Sequence, residues 1–157
     1  MGIEIERKFL LANDDWRQQV HSSVPFRQGY LLGSEKSSVR VRIQGEQSNL
    51  NIKGATLGIR RQEFEYPIPM EDASELLSTL CAEPLIEKTR HYVTAGKHTW
   101  EIDEFAGDNQ GLIVAEIELS HEDENFEPQD WLGEEVSGDE RYYNSMLIKN
   151  PYKNWKD

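Results

Sequence analysis

The sequence predicts a mainly β fold, a closed or nearly closed antiparallel barrel or else a sandwich, with few helices. Three observations carry this expectation. Segments alternating apolar and polar residues fill most of the 157-residue chain. Short turn signals separate them, so neighbours run antiparallel. Only three stretches show helical spacing. A single domain over residues 1–157 is expected, because this length buries a core without disulfides or a structural metal, and no linker, low-complexity tract or repeat divides it.

The first strand is predicted at 2–10, where Glu4, Glu6 and Lys8 alternate with Ile3, Ile5 and Phe9. Asn13 then offers a cap to a short helix through Trp16 and Val20. Strands follow at 26–32 and 37–45, parted by Gly33-Ser34; the second sets Arg40 and Arg42 against Val39, Val41 and Ile43. Gly45-Glu46 turns the chain into a strand at 48–54, with Lys53 on one face and Leu50 and Ile52 on the other. Gly54-Ala55-Thr56-Leu57-Gly58 lacks the Gly-Lys-Ser/Thr that would complete a P-loop, and it is read as a hairpin turn.

The next strand, at 60–69, alternates Glu63 and Glu65 with Phe64, Tyr66 and Ile68. Residues 71–82 should form a helix, since Ala73, Leu76, Leu77, Leu80 and Cys81 fall on one stripe and Asp72 can cap it. Strands at 84–95 and 97–105, joined at Ala95-Gly96, carry Lys88 and Arg90 and then Glu101 and Asp103. After Gly107-Asp108-Asn109, a strand at 112–120 carries Glu116 and Glu118. Gly138-Asp139 precedes a last helix from Glu140 to Ile148, stopped by Asn150-Pro151.

With 29 acidic and 17 basic residues the net charge is −12, which opposes binding to nucleic acid or anionic lipid. The longest apolar runs, such as Leu112-Ile113-Val114-Ala115, are too short to span a bilayer, and the acidic start lacks a signal-peptide pattern. A cytoplasmic location is therefore expected, with neither nucleic-acid nor membrane partners. The single Cys81 cannot form an intramolecular disulfide, and its place on a helical stripe predicts a buried thiol.

Residues two apart on a strand share a face, roughly 6.6 Å from one another. For one strand, a charged face is explained by solvent. Across this chain, however, the charges are sorted by sign strand by strand, whereas solubility is better served by interspersed signs. Taking the six cations Lys8, Arg40, Arg42, Lys53, Lys88 and Arg90 and the seven anions Glu4, Glu6, Glu63, Glu65, Asp103, Glu116 and Glu118 from the 17 and 29 leaves the remainder at −11. The cations are thus concentrated on the strands of an acidic chain, as an anion site requires. The charged faces are expected to turn inward around a water-filled lumen, with the apolar faces outward under helices and loops. That arrangement also accounts for a hydrophobic fraction of only 37%.

Carboxylates without His or Cys partners suit a hard cation, Mg²⁺ or Mn²⁺, and the four histidines show no ligand spacing. Paired arginines and lysines match phosphate oxygens. Together they describe a site for a metal-bound oligophosphate. No GxSxG elbow or GxGxxG loop offers another chemistry.

Glu4-x-Glu6-x-Lys8 resembles the ExExK signature of the CYTH superfamily, the triphosphate tunnel metalloenzymes. The likeness continues through Arg40-x-Arg42, Lys53, Glu63-x-Glu65, Glu87-Lys88-Thr89-Arg90, Asp103, Glu116-x-Glu118, Glu134-Glu135-Val136 and Asp139-Glu140-Arg141-Tyr142. The resemblance implies an eight-stranded antiparallel closed β-barrel, a tunnel with a polar charged lumen, binding a small triphosphate with Mg²⁺ or Mn²⁺ at two positions. It implies that Lys8, Arg40, Arg42, Lys53, Lys88, Arg90 and Arg141 contact substrate, that Glu4, Glu6, Asp103, Glu116 and Glu118 hold metal, and that Glu63 and Glu65 are further lumen residues. Phe26-Arg27-Gln28-Gly29-Tyr30-Leu31 is similar to the small bacterial tripolyphosphatase-like branch, in which Tyr30 would pair with Lys8 as proton acceptor or else only position it. The implied activity is hydrolysis of inorganic tripolyphosphate to pyrophosphate and phosphate. A class IV-like adenylyl cyclase, a thiamine or nucleoside triphosphatase and a non-catalytic polyphosphate-binding module are the alternatives, and a homodimer is compatible with all of them.

Overall fold

The computed structural model describes residues 2–155. Nine strands form one antiparallel sheet: β1 (Gly2–Leu11), β2 (Ser22–Gly33), β3 (Ser37–Gln44), β4 (Gln47–Gly54), β5 (Arg60–Pro67), β6 (Ile86–Ala95), β7 (His98–Phe105), β8 (Ile113–Glu118) and β9 (Leu132–Glu135). The order is β5-β4-β3-β2-β6-β7-β8-β1-β9, and β5 also pairs with β1. That extra ladder, Gly2↔Glu63 to Ile5↔Arg60, closes strands β1 to β8 into a barrel. The remaining strand, β9, was not anticipated. It pairs with Phe9 and Leu11 at the end of β1, beyond the residues that β5 uses.

The barrel is built with its apolar packing outside. Beneath β1, β6, β7 and β8, Ile5, Phe9, Val93, Trp100, Ile102 and Ile117 pack with Trp16 and Trp131, which the loops lay over them. Trp100 meets Phe9, Phe126 and Trp131 edge-on, at centroid distances of 5.8, 5.5 and 5.5 Å. Edge-to-face pairs of this kind contribute about 0.5–1.5 kcal/mol each beyond their area. A second cluster joins Ile86, Phe105, Val114, Tyr142 and Leu147, and fastens the C-terminal segment to the barrel.

The helix α1 (Met70–Thr79) lays Ala73 and Leu77 on Val41 of the third outer face. Its approach needs Gly29, where a Cβ would lie 2.8 Å from Leu85 Cδ2 and 2.9 Å from Cys81 Cβ. Cys81 packs at the edge of this cluster as a free thiol, and burial pushes its pKa up.

Four local expectations are corrected. Strand β2 starts at Ser22 rather than 26, with Pro25 inside the strand opposite Thr89. Helix α1 ends at Thr79 and is not capped by Asp72; Pro69 stands at the cap, and Glu71 and Asp72 lie in the first turn, where they favour the helix dipole. The expected helix from Glu140 to Ile148 is broken. A 3₁₀ turn at Glu140–Tyr142 is followed by an extended Tyr143 and then α2 (Asn144–Lys149). The short helix expected after Asn13 is a 3₁₀ turn, Asp15–Gln19, with Asp14 rather than Asn13 at its N-cap; Asn13 Oδ1 accepts from the Asp15 N–H, and the turn buries Trp16. No helix among the described residues is long and apolar enough to cross a membrane.

Candidate active site

Because β-strand side chains alternate, the charged rows of β1, β3, β4, β5, β6 and β8 all point into the barrel, where they line one cavity of about 240 Å³. Of the residues singled out above, Glu4, Glu6, Lys8, Tyr30, Arg40, Arg42, Lys53, Glu63, Glu65, Lys88, Arg90, Glu116 and Glu118 line it. Arg61, Tyr92, Glu101, Ser137 and Tyr143 to Ser145 line it as well.

The cations lie toward the β3 and β6 walls. Arg90 donates from Nε and Nη2 to the two oxygens of Asp103, at 2.7 and 2.9 Å, and also reaches Glu101 and Glu116 at 3.2 Å each. Lys88 Nζ donates to Asp103 Oδ2 at 2.7 Å. Beneath them lies the ring of Phe26, with the Arg42 and Arg90 guanidinium carbons 4.9 and 4.7 Å from its centroid and Lys88 Nζ at 5.6 Å. An aromatic face attracts cations without neutralising them, so the charges remain available to a ligand.

Arg40 differs from its neighbours. Only 5% of the residue is exposed, yet its Nε and Nη2 have no hydrogen-bond partner. These two atoms form the fork that matches a carboxylate or phosphate bidentately. A buried, unfilled guanidinium edge costs free energy unless an anion occupies it.

On the opposite side, the carboxylates of β1, β5 and β8 gather. Glu4 accepts from Arg61 Nε at 2.9 Å and from Lys53 at 3.4 Å; burial would raise its pKa, but these two cations hold it below the usual range. For Glu6 the balance is reversed: burial, with Glu116 and Glu4 beside it, pushes it well up and outweighs the pull of Lys53 and Lys8. Burial also raises Glu118, helped by Glu4 and Glu63. Glu116, although buried, is drawn well below the usual range by Lys8 and Arg90. Among the described residues no three carboxylate, imidazole or thiol groups converge as a ready-made ligand set. The donor chemistry nevertheless fits a hard divalent cation, because Glu6, half-buried, and Glu118, more open, are lumen carboxylates crowded by like charge, which a cation relieves.

Two expected site residues lie elsewhere. Asp103 is fully buried and does not line the cavity; both its oxygens are taken by Arg90 and Lys88, so it holds cations in place of a metal. Its neighbour Glu101 opens onto the lumen instead. Arg141 is exposed in the 3₁₀ turn and pairs with Asp139 at 2.7 Å, outside the lining. The expected pairing of Tyr30 with Lys8 is absent too: the Lys8 ammonium donates to the Tyr142 carbonyl at 3.2 Å and lies 3.5 Å from Glu116.

Sequence reasoning missed Arg61, Phe26, Gln28, Tyr92 and Asn144. Arg61 carried a usable signal, since it stands two residues before Glu63 and shares its face. The others are neutral or aromatic and have no charge pattern to give them away.

The profile of the CYTH domain family matches residues 2–144. An inorganic triphosphatase of Acetivibrio thermocellus is 48% identical over 157 residues, spanning all of both chains. One of Nitrosomonas europaea is 38% identical over 151 residues, 92% of this chain and 95% of its own. The crystal structure of the inorganic triphosphatase NE1496 superposes with a TM-score of 0.65 at 35% identity, covering 92% of this chain and 93% of that one.

Proposed function

Because this chain belongs to the CYTH domain family, we propose that it is a divalent-metal-dependent hydrolase that cleaves a phosphoanhydride bond of a small triphosphate, inorganic tripolyphosphate foremost. The observation that carries this reading is the empty fork of buried Arg40, facing the same lumen as Arg42, Lys88 and Arg90 on one side and the crowded carboxylates on the other. A linear oligophosphate meets both demands, since its oxygens fill cationic forks and also complete a metal's coordination. The inorganic triphosphatase names of both relatives, matched over nearly their full length, support the same substrate.

In this reading Arg40, Arg42, Lys53, Lys88 and Arg90 grip the phosphoryl oxygens and spread their negative charge, which is the main requirement of phosphoryl transfer. Lys8, held by the Tyr142 carbonyl and Glu116, presents a further ammonium at a fixed position. Glu4, Glu6, Glu116 and Glu118 would hold Mg²⁺ or Mn²⁺, with Glu63 within the same lumen. A bound ion of this class supplies charge neutralisation and an acidified water for in-line attack. Tyr30 lines the lumen opposite Arg40 on the β2–β3 ladder, and in this reading it contacts the substrate.

The test is a panel of tripolyphosphate, ATP and thiamine triphosphate at fixed Mg²⁺ or Mn²⁺, resolving phosphate, pyrophosphate and cyclic AMP. Tripolyphosphate is expected to turn over fastest, giving pyrophosphate and phosphate. Binding without turnover in either metal would make the protein a polyphosphate-binding module instead, and cyclic AMP from ATP would make it a cyclase. Glu118→Gln at saturating Mg²⁺ should cost at least about tenfold in turnover. A wild-type rate in that variant removes Glu118 from the metal site.

A further inference from the structure

The barrel alone does not complete its cation cluster; the C-terminal segment supplies one atom of it. Asn144, the first residue of α2, reaches back across the sequence and places its side-chain oxygen between two barrel strands. Asn144 Oδ1 accepts from Lys88 Nζ of β6 at 3.0 Å and from Gln28 Nε2 of β2, also at 3.0 Å. Gln28 is fully buried, and its Oε1 accepts from Arg42 Nε at 3.2 Å.

The consequence follows from counting donors. An ammonium has three N–H groups. Two of those on Lys88 are taken, by Asp103 and Asn144, and the third is left for the cavity that Lys88 lines. A guanidinium has five; on Arg42 the Nε is tied to Gln28, which aims the terminal nitrogens into the lumen. One neutral acceptor thus sets the direction of Lys88 directly and of Arg42 through Gln28. Its neutrality matters as well, since a carboxylate in the same place would cancel a charge meant for phosphate.

We propose that Asn144 is a positioning residue for the triphosphate, contributed by the C-terminal segment, which orients Lys88 and, through Gln28, Arg42 toward the phosphoryl oxygens. This inference rests on the triphosphatase reading given above. It predicts an effect on binding that holds in ground and transition states alike, so that KM rises while kcat is nearly unchanged.

The test measures tripolyphosphate affinity by calorimetry in a chelator, KM and kcat with Mg²⁺, and thermal midpoint, for the wild type, Asn144→Ala, Asn144→Asp, Lys88→Met and the Asn144→Ala/Lys88→Met double variant. Asn144→Ala should weaken the metal-free affinity and raise KM about tenfold, the worth of a hydrogen bond to a charged group, with kcat within about twofold. In the Lys88→Met background the same change should cost no more than about threefold, because the partner it orients is gone. Asn144→Asp keeps both acceptor contacts and the side-chain volume, so it guards against a folding failure of the alanine variant; it too should raise KM, through its added charge.

A folded Asn144→Ala or Asn144→Asp with wild-type affinity and KM overturns the proposal, as does full additivity with Lys88→Met. Failure of the functional reading is a different result: a wild type that binds tripolyphosphate in the chelator but releases no phosphate with Mg²⁺ or Mn²⁺. In that case the affinity series still decides whether Asn144 orients the two cations.

Discussion

On the β6–β7 wall of the lumen, Lys88 and Arg90 both meet Asp103, whereas on the β3 wall Arg40 keeps Nε and Nη2 without a partner. Both walls bury their cations. The difference separates two tasks. Charges matched within the protein stabilise the barrel and fix geometry, while a charge left unmatched is a cost of folding that only a ligand recovers. The opposite wall repeats the contrast with anions: Glu4 is answered by Lys53 and Arg61, while Glu6 is crowded by Glu116 and Glu4.

The contrast can be broken most severely at Asp103. Asp103→Ala leaves Lys88 and Arg90 buried without their main counter-charge, and should cost about 3–5 kcal/mol, read as a lower denaturant midpoint at unchanged slope. Arg40→Ala should act with the opposite sign on stability, leaving the midpoint unchanged or raised, because an unsatisfied buried cation is removed. Its cost falls on the ligand instead: about 3 kcal/mol, or on the order of 100-fold in tripolyphosphate affinity, measured by calorimetry. Equal losses of stability in the two variants would erase the distinction.

A smaller effect sharpens the same comparison through protons. Burial, reinforced by Arg90, lowers Lys88 to about 7, although Asp103 pulls the other way; that carboxylate is already held by both edges of the Arg90 fork. An arriving polyanion favours the charged ammonium and raises its pKa. Above pH 7 in the absence of metal, tripolyphosphate binding should therefore take up protons, and the uptake should vanish well below 7, where the lysine is already charged. Calorimetry at pH 8 in buffers of differing ionisation enthalpy measures it. The linkage to folding has a definite sign too: between about 7 and the ordinary lysine value of 10.5 the unfolded chain holds the proton and the folded one does not, so this group's contribution to stability improves as pH rises through that window. The least effect is expected at Arg141, which is exposed and paired locally with Asp139. Arg141→Ala should leave KM and the thermal midpoint close to the wild-type values, read by steady-state kinetics and a thermal melt.

Alternation of side chains determined most of the lumen before any coordinates. Glu4, Glu6 and Lys8, Arg40 and Arg42, and Glu116 and Glu118 share a face because a strand allows no other arrangement, and the sorting of their signs turned that face inward. Period two, however, gives the face of a residue and not its depth along the barrel. Asp103 and Glu101 are equivalent in the sequence pattern, yet one is sealed beneath Lys88 and Arg90 and the other opens onto the cavity.

Depth was decided by packing, as was every part of the site drawn from an irregular segment. The C-terminal stretch carries no strand alternation, so nothing in its order of residues distinguished Arg141, which faces solvent, from Asn144, which closes on Lys88 and Gln28. Those contacts join residues 56 and 116 positions apart. Local pattern sets which way a side chain points from its own backbone; what it meets there depends on how distant segments pack, and in this protein that choice separated Lys88 and Arg90, paired with Asp103, from Arg40, whose Nε and Nη2 meet no partner among the described residues.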